Sequence, residues 1–194
     1  MPILRGLTFD DVLMIPGYGN VSRDDSSTKT KLGEYQFEIP LVSANMDSIT
    51  GVKMAIAMVG LGGLGILHRF MDVEENVIAF IKTVRATIPR HIGVSVGVGD
   101  DEKKRAEALY VAGARLFCID VAHAHTKLVG KMIKHMKQEY SDIYIIAGNV
   151  ATYAGSDYLV SVGADAVKVG IGAGSVCTTR QVTGFGVPQF TAIM

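Results

Sequence analysis

Six short runs of aliphatic and β-branched residues recur along the chain: "IPLVSAN", "GGLGILH", "HIGVSVGV", "RLFCID", "DIYIIAG" and "DAVKVGIG". They end near Ser43, Leu67, Gly97, Asp120, Ala147 and Gly170, so successive ends lie 24, 30, 23, 27 and 23 residues apart. Each run is apolar along its length rather than alternating, which suits strands buried on both faces of a sheet. The segments between them have helical character. In "MDVEENVIAFIKTVRATI", Asp72 is placed to cap, Glu75 follows three residues later as in a capping box, and Val77, Ile78, Ile81 and Val84 form an apolar stripe. "DEKKRAEALYVAGA" and "KLVGKMIKHMKQEY" behave similarly, with Gly113 placed to end the first.

Strand and helix alternating in this way predict parallel strands joined by right-handed crossovers. An open doubly wound sheet and a barrel share the pattern, and two features favour the barrel. Candidate functional residues follow several different strands, as a ring of loops at one barrel face requires, and no G-x-G-x-x-G follows the first strand. The fold expected is therefore α/β, of the (β/α)8 TIM-barrel type. It is incomplete: an eight-unit barrel needs at least ~200 residues, and about six strand-helix units fit here. The expected organisation is one partial-barrel domain over 1–194. An N-terminal extension occupies 1–38, with turns at Pro16-Gly17 and in the Ser/Asp-rich stretch, and units one to six occupy 39–194, the last helix only beginning at "PQFTAIM".

Nineteen basic residues balance nineteen acidic ones, so no overall field attracts nucleic acid. "DEKKRAE", the nearest basic cluster, carries its own acids and reads as a solvated helix face. Two cysteines without C-x-x-C spacing make neither a disulfide framework nor the common zinc and thioredoxin motifs, which points to a reducing, cytoplasmic setting. No apolar run approaches the ~18 residues of a membrane span, and the start lacks a secretory signal.

One of those cysteines stands in "GIGAGSVCTTR". Gly170, Gly172 and Gly174 permit positive φ and close backbone approach, and their exposed peptide groups can cradle an anion or a monovalent cation. Lys168 and Arg180 are near in sequence, and positive potential would favour the thiolate of Cys177. The loop alone supports two readings equally, a nucleophile or a small residue filling a turn. Cys118, between Phe117 and Ile119, reads as a small buried hydrophobe. "DVAHAH" places Asp120, His123 and His125 after the fourth run, more as loop structure or ligand contact than as a metal site. Asn149 ends the fifth run, either reading a polar ligand or serving as a turn residue. "SANMDSIT" puts Ser43, Asn45, Met46 and Asp47 after the first, with Met46 equally suited to a core.

Taken together, "LTFDDVLMIPGY", "SANMDSITGVKMAIAM", "GGLGILHRFM", "AGNVAT", "GADAVKVGIGAGSVCTTR" and "TGFGVPQ" closely resemble the family of IMP dehydrogenases and GMP reductases. The resemblance implies a cysteine that attacks C2 of a purine nucleotide to give a thioimidate. It makes Cys177 the nucleophile and Thr179 its assistant in the water or ammonia chemistry. Ser175, Asn149, Met46 and Gly174 become substrate contacts, and Asp120, Val121 and Ala122 the cofactor side, for NADPH or NAD. The backbone carbonyls of Gly172, Gly174 and Cys177 become a potassium site. Ala44 stands where many dehydrogenases have serine, and Ala124 replaces a glycine of the usual "AHGH", so that loop is expected to follow a different path. No regulatory nucleotide-binding modules interrupt the second and third units, which favours GMP reductase (GMP and NADPH to IMP, ammonia and NADP). The alternatives are IMP dehydrogenase and a non-catalytic truncated or interaction fragment. Because the family's seventh and eighth strands supply further site residues, the chain alone is expected neither to close its barrel nor to turn over. The expected partners are GMP or IMP and either further copies of the chain in a homo-oligomer or a complementing C-terminal fragment, without nucleic acid or membrane.

Overall fold

The computed structural model describes residues 5–87 and 91–194. Ile88, at the end of the expected second-unit helix, and the first four residues of the expected extension lie outside the described residues. A small antiparallel hairpin comes first, β1 (Thr30–Leu32) paired with β2 (Tyr35–Phe37). Six parallel strands follow in sequence order in one curled sheet: β3 (Val42–Ser43), β4 (Leu64–Leu67), β5 (Ile92–Val96), β6 (Leu116–Asp120), β7 (Tyr144–Val150) and β8 (Ala166–Val169). Helices α1 (Val52–Gly60), α2 (Val73–Ala86), α3 (Asp100–Val111), α4 (Lys127–Glu139) and α5 (Tyr153–Ser161) connect them, and α6 (Thr178–Thr183) and α7 (Gln189–Ile193) follow β8. This is the α/β architecture of a partial TIM barrel, and all six apolar runs contribute its strands.

Alternate strand residues serve two cores, as the period of two requires. Val94, Val96, Phe117, Ile119, Ile145 and Ala147 pack in the outer core with Phe80, Leu109, Met132, Ile133, Met136 and Leu159 of the helices. Leu64, Ile66, Leu116, Cys118 and Ile146 form the inner core with Tyr35 and Phe37 of the hairpin. The hairpin thus stops the amino-terminal end of the half-barrel, where Tyr35 meets Tyr144 edge-on with ring centroids 5.5 Å apart. Gly33 turns the hairpin at φ 59°, and a side chain there would strike the Tyr144 ring.

Three local expectations change. Val12–Ser22 is extended with no turn at Pro16-Gly17, and Leu13, Met14 and Ile15 are almost fully exposed. Proline and glycine permit a turn, but the segment is too exposed for packing among the described residues to hold one. The Ser/Asp-rich stretch does turn, as a 3-10 helix over Arg23–Asp25.

The buried face of α2 is Asn76, Phe80 and Thr83, flanked by Val77 and Val84, whereas Ile78 is 42% exposed. The apolar stripe missed this rotation because two polar residues line the face, both hydrogen-bonded: Asn76 Nδ2 donates to the His68 carbonyl and Thr83 Oγ1 to that of Ala79. The capping prediction holds, with Asp72 Oδ1 accepting the Glu75 N–H at 2.7 Å.

"DEKKRAE" is only partly a solvated face. Asp100 and Lys103, and Asp101 and Lys104, pair in solvent, but Arg105 is 8% exposed and Glu102 is largely buried beside it. Gly113, at φ 106°, ends α3 as expected, and Ala114 N–H donates to the Leu109 carbonyl at 2.9 Å.

Ala124, the residue that replaces the glycine of "AHGH", lies inside the fold. Its methyl is fully buried in the outer core, and its N–H donates to the Asn149 carbonyl at 2.8 Å.

Candidate active site

Polar side chains gather at the carboxyl ends of the strands, where a barrel places its chemistry. Asp120 stands opposite Gly148, and Gly148 opposite Lys168, so the three lie level on the inner face. Lys168 Nζ donates to Asp120 Oδ1 at 3.0 Å and to Asn45 Oδ1 at 2.7 Å. The loop that carries Asn45 and Met46 is held by the Thr50 hydroxyl, which donates to the Ala44 carbonyl, and by Ile49 and Thr50 N–H groups on the Met46 carbonyl. Asn149 follows a cis Gly148-Asn149 peptide and donates through Nδ2 to the Gly170 carbonyl at 2.8 Å. Val121 is tied into the same corner by both its peptide groups, with Gly148 O and Asn149 N as partners.

The glycine loop leaves β8 through Gly170 (φ 135°) and Gly172 (φ 62°), conformations that glycine adopts without penalty. The "TGFGVPQ" segment folds back and clamps it. Val187 N–H donates to the Ile171 carbonyl at 2.9 Å, Gln189 Nε2 to that of Val169 at 3.1 Å, and a side chain on Gly172 would lie 2.6 Å from the Phe185 carbonyl. The amino-terminal "LTFDD" in turn braces α7. Leu7 exchanges hydrogen bonds with Thr191, and Phe9 meets Phe190 edge-on at 5.7 Å.

Cys177 is the N-cap of α6 and is half-buried. The Arg180 N–H, with those of Thr179 and Gly172 and the Thr179 hydroxyl, holds its thiol below the ordinary range against a smaller opposing effect of burial. This corrects the sequence argument from Lys168 and Arg180 charge. The Lys168 ammonium is engaged by Asp120 and Asn45, and Arg180 acts through its backbone. Cys118 is the opposite case: fully buried in the inner core, its thiol is pushed up to about 12 by burial.

The structure therefore joins Cys177, Thr179 and Gly172, and separately Asp120, Lys168 and Asn45, with Asn149 bonded to Gly170 at the root of the loop. Met46 and Ser175 are exposed, as are Gly174 and Ala122, and their side chains take no part in these networks. Sequence reasoning did not join Lys168 to Asn45. The available signal was a lone lysine on the inward phase of an apolar strand, "AVKV". It also missed Ser95, fully buried on the inner face with a hydroxyl that has no partner among the described residues. A cavity of about 500 Å³ opens instead at the amino-terminal end, lined by Tyr35, Gln36, His91, Arg115 and Asp142, away from every candidate residue.

Parallel strands curled inside helices, with polar residues at their carboxyl ends and a softened thiol on the loop after the last strand, define a partial TIM-barrel domain. The family model described as IMP dehydrogenase / GMP reductase domain matches residues 6–194, and the chain belongs to that family of oxidoreductases. It is 34% identical to an inosine-5'-monophosphate dehydrogenase of Cryptosporidium parvum over 229 residues, covering 97% of this chain and 57% of the relative. It is 39% identical to a GMP reductase of Streptococcus agalactiae (serotype V) over 181 residues, covering 92% and 54%. The crystal structure of inosine 5' monophosphate dehydrogenase from Legionella pneumophila superposes with a TM-score of 0.90 at 50% identity, covering 97% of this chain and 58% of that one. The chain thus spans a little over half the length of these relatives. Among the described residues no helix is long and apolar enough to cross a membrane.

Proposed function

We propose that this protein acts on purine nucleotides through Cys177, as a cytoplasmic GMP reductase whose turnover needs the barrel completed. The observation that carries the reading is the thiol at the head of α6, surrounded by N–H donors inside "GSVCTTR". The Cys177 thiolate bonds to C2 of GMP, and the 2-amino group departs as ammonia with a proton, for which the Thr179 hydroxyl beside the sulfur is the nearest relay. NADPH supplies the hydride that replaces sulfur at C2, returning the thiolate and leaving IMP.

Ser175 is exposed to meet the nucleotide phosphate, with Asn149, Gly174 and Met46 completing the substrate side. Asp120, Val121 and Ala122 form the cofactor side, where Asp120 Oδ1 is held by Lys168 and Oδ2 remains an acceptor. The Gly174 and Cys177 carbonyls each accept one backbone N–H and keep a second lone pair. With the Gly172 carbonyl they form the uncharged oxygen set that suits potassium, which would stiffen the loop.

Two observations favour the reductase. Only residues 68–91 separate β4 from β5, and the alignment to the GMP reductase needs 181 residues where those to dehydrogenases of Cryptosporidium and Nitrosopumilus run over 229 and 318. The 50% identity to the Legionella structure favours the dehydrogenase reading, IMP, NAD and water to XMP and NADH. Absorbance at 340 nm separates them, using the protein together with a polypeptide carrying a relative's remaining two units. Loss of NADPH with GMP is expected, while NADH formation from IMP and NAD would replace the first reading with the second.

A further inference from the structure

We infer that Lys168 is a positioning residue that sets the orientation of one group on each side of the site, a role distinct from activating the thiol. The inference rests on the reading above, with the nucleotide beside Met46 and the dinucleotide beside Asp120.

β3 and β8 are the two edges of the described sheet, and Lys168 Nζ bridges the mouth between them, reaching Asn45 beyond β3 and Asp120 on β6. An ammonium has donors and no acceptor, so Asn45 must turn its Oδ1 to the lysine. Its Nδ2 then faces elsewhere. That nitrogen is buried without a partner among the described residues, in a residue only 3% exposed, a donor left for a ligand acceptor. The same ammonium occupies Asp120 Oδ1 and leaves Oδ2 to accept from a ligand. One cation thereby aims a donor on the nucleotide side and an acceptor on the cofactor side. Gly148 makes room for this: a Cβ there would lie 2.5 Å from Lys168 Cβ and 2.6 Å from its carbonyl oxygen. Lys168 is absent from the groups that lower the Cys177 thiol, so removing its charge separates positioning from nucleophilicity.

Calorimetric titration with GMP and with NADPH tests this on Lys168→Met, Lys168→Arg and Asn45→Ala, each complemented, like the parent, by the polypeptide carrying a relative's remaining two units. Lys168→Met is expected to raise both dissociation constants tenfold or more, with the pH profile of Cys177 alkylation unchanged, and Lys168→Arg to recover most of the loss. Asn45→Ala is expected to weaken GMP tenfold and leave NADPH within twofold, a split that general destabilisation does not produce. Parent-like binding of both ligands by Lys168→Met overturns the inference alone. If Lys168→Met does not fold, Asn45→Ala decides: equal loss of both ligands, or of neither, overturns it. A parent protein that binds neither ligand overturns the functional reading and this role with it.

Discussion

Arg105 Nη1 lies 3.0 Å from Asn76 Oδ1, a buried contact that joins α3 to α2 at the carboxyl face. The same guanidinium donates to the Met71 carbonyl at 2.9 Å and pairs with Glu102, whose second oxygen takes the Gly97 N–H at 2.6 Å. The loops after β4 and β5 are therefore fixed around Glu102, which Arg105 and Arg69 both approach, at 3.3 and 3.8 Å. Arg105→Met leaves Asn76 Oδ1 and the Met71 carbonyl without this donor and Glu102 with Arg69, 3.8 Å away, as its remaining cation, and should cost about 3 kcal/mol through the unpaired buried acceptors. A chain of this size would lose roughly 6–12 °C in Tm. Lys104→Met breaks only an exposed pair and should stay within about 0.5 kcal/mol. Parallel thermal melts of the two variants check the contrast.

Cys118 makes stability fall at high pH. Its folded pKa of about 12 lies above that of an unfolded cysteine, so the unfolded chain loses the proton first. Its contribution is complete below pH ~8.5 and declines by about 1.4 kcal/mol per unit above it, until the folded thiol itself titrates. Urea melts of the parent and Cys118→Ala between pH 7.5 and 10 should show the parent alone carrying this slope, so that the gap between them narrows as pH rises.

Gly148→Ala should be damaging despite the small change. Its methyl would fall 2.6 Å from the Lys168 carbonyl, a backbone atom of the adjoining strand that cannot swing away. A loss of about 2–3 kcal/mol is expected from overpacking, read as a lowered urea midpoint with unchanged m-value.

Phe37 is 4% exposed in the inner core and stops the base of the half-barrel. Phe37→Ala should cost about 3–5 kcal/mol, as for other large aromatic truncations, and increase hydrogen exchange in β1 and β2 before the outer strands.

The parts of this fold legible in the sequence are those whose signal is local. β4 to β7 show as apolar runs because both of their faces are buried, whereas the edge strands β3 and β8 are exposed or half-buried despite their apolar runs, and Asp72 and Gly113 show because caps and left-handed turns demand particular residue types. The hairpin escaped notice because β1 and β2 are three residues each and "TKLGEYQF" mixes polar with apolar residues. Only contact with Leu116 and Ile146, distant in sequence, makes Tyr35 and Phe37 a plug. The burial of Arg105 and the bridge from Lys168 to Asn45, 123 residues away, are likewise tertiary. For the cysteine, proximity in sequence assigned the lowered pKa of Cys177 to side-chain charge, whereas backbone N–H groups at a helix start supply it.

The account depends on Cys177 bonding to purine C2, and intact-mass and peptide mass spectrometry after incubation with a nucleotide bearing chlorine at that carbon test it most directly. Displacement of chloride should leave one nucleotide on Cys177 and none on Cys118, with excess GMP preventing the reaction. Labelling that ignores GMP, that falls on another residue, or that persists at the same rate in Cys177→Ala would contradict it.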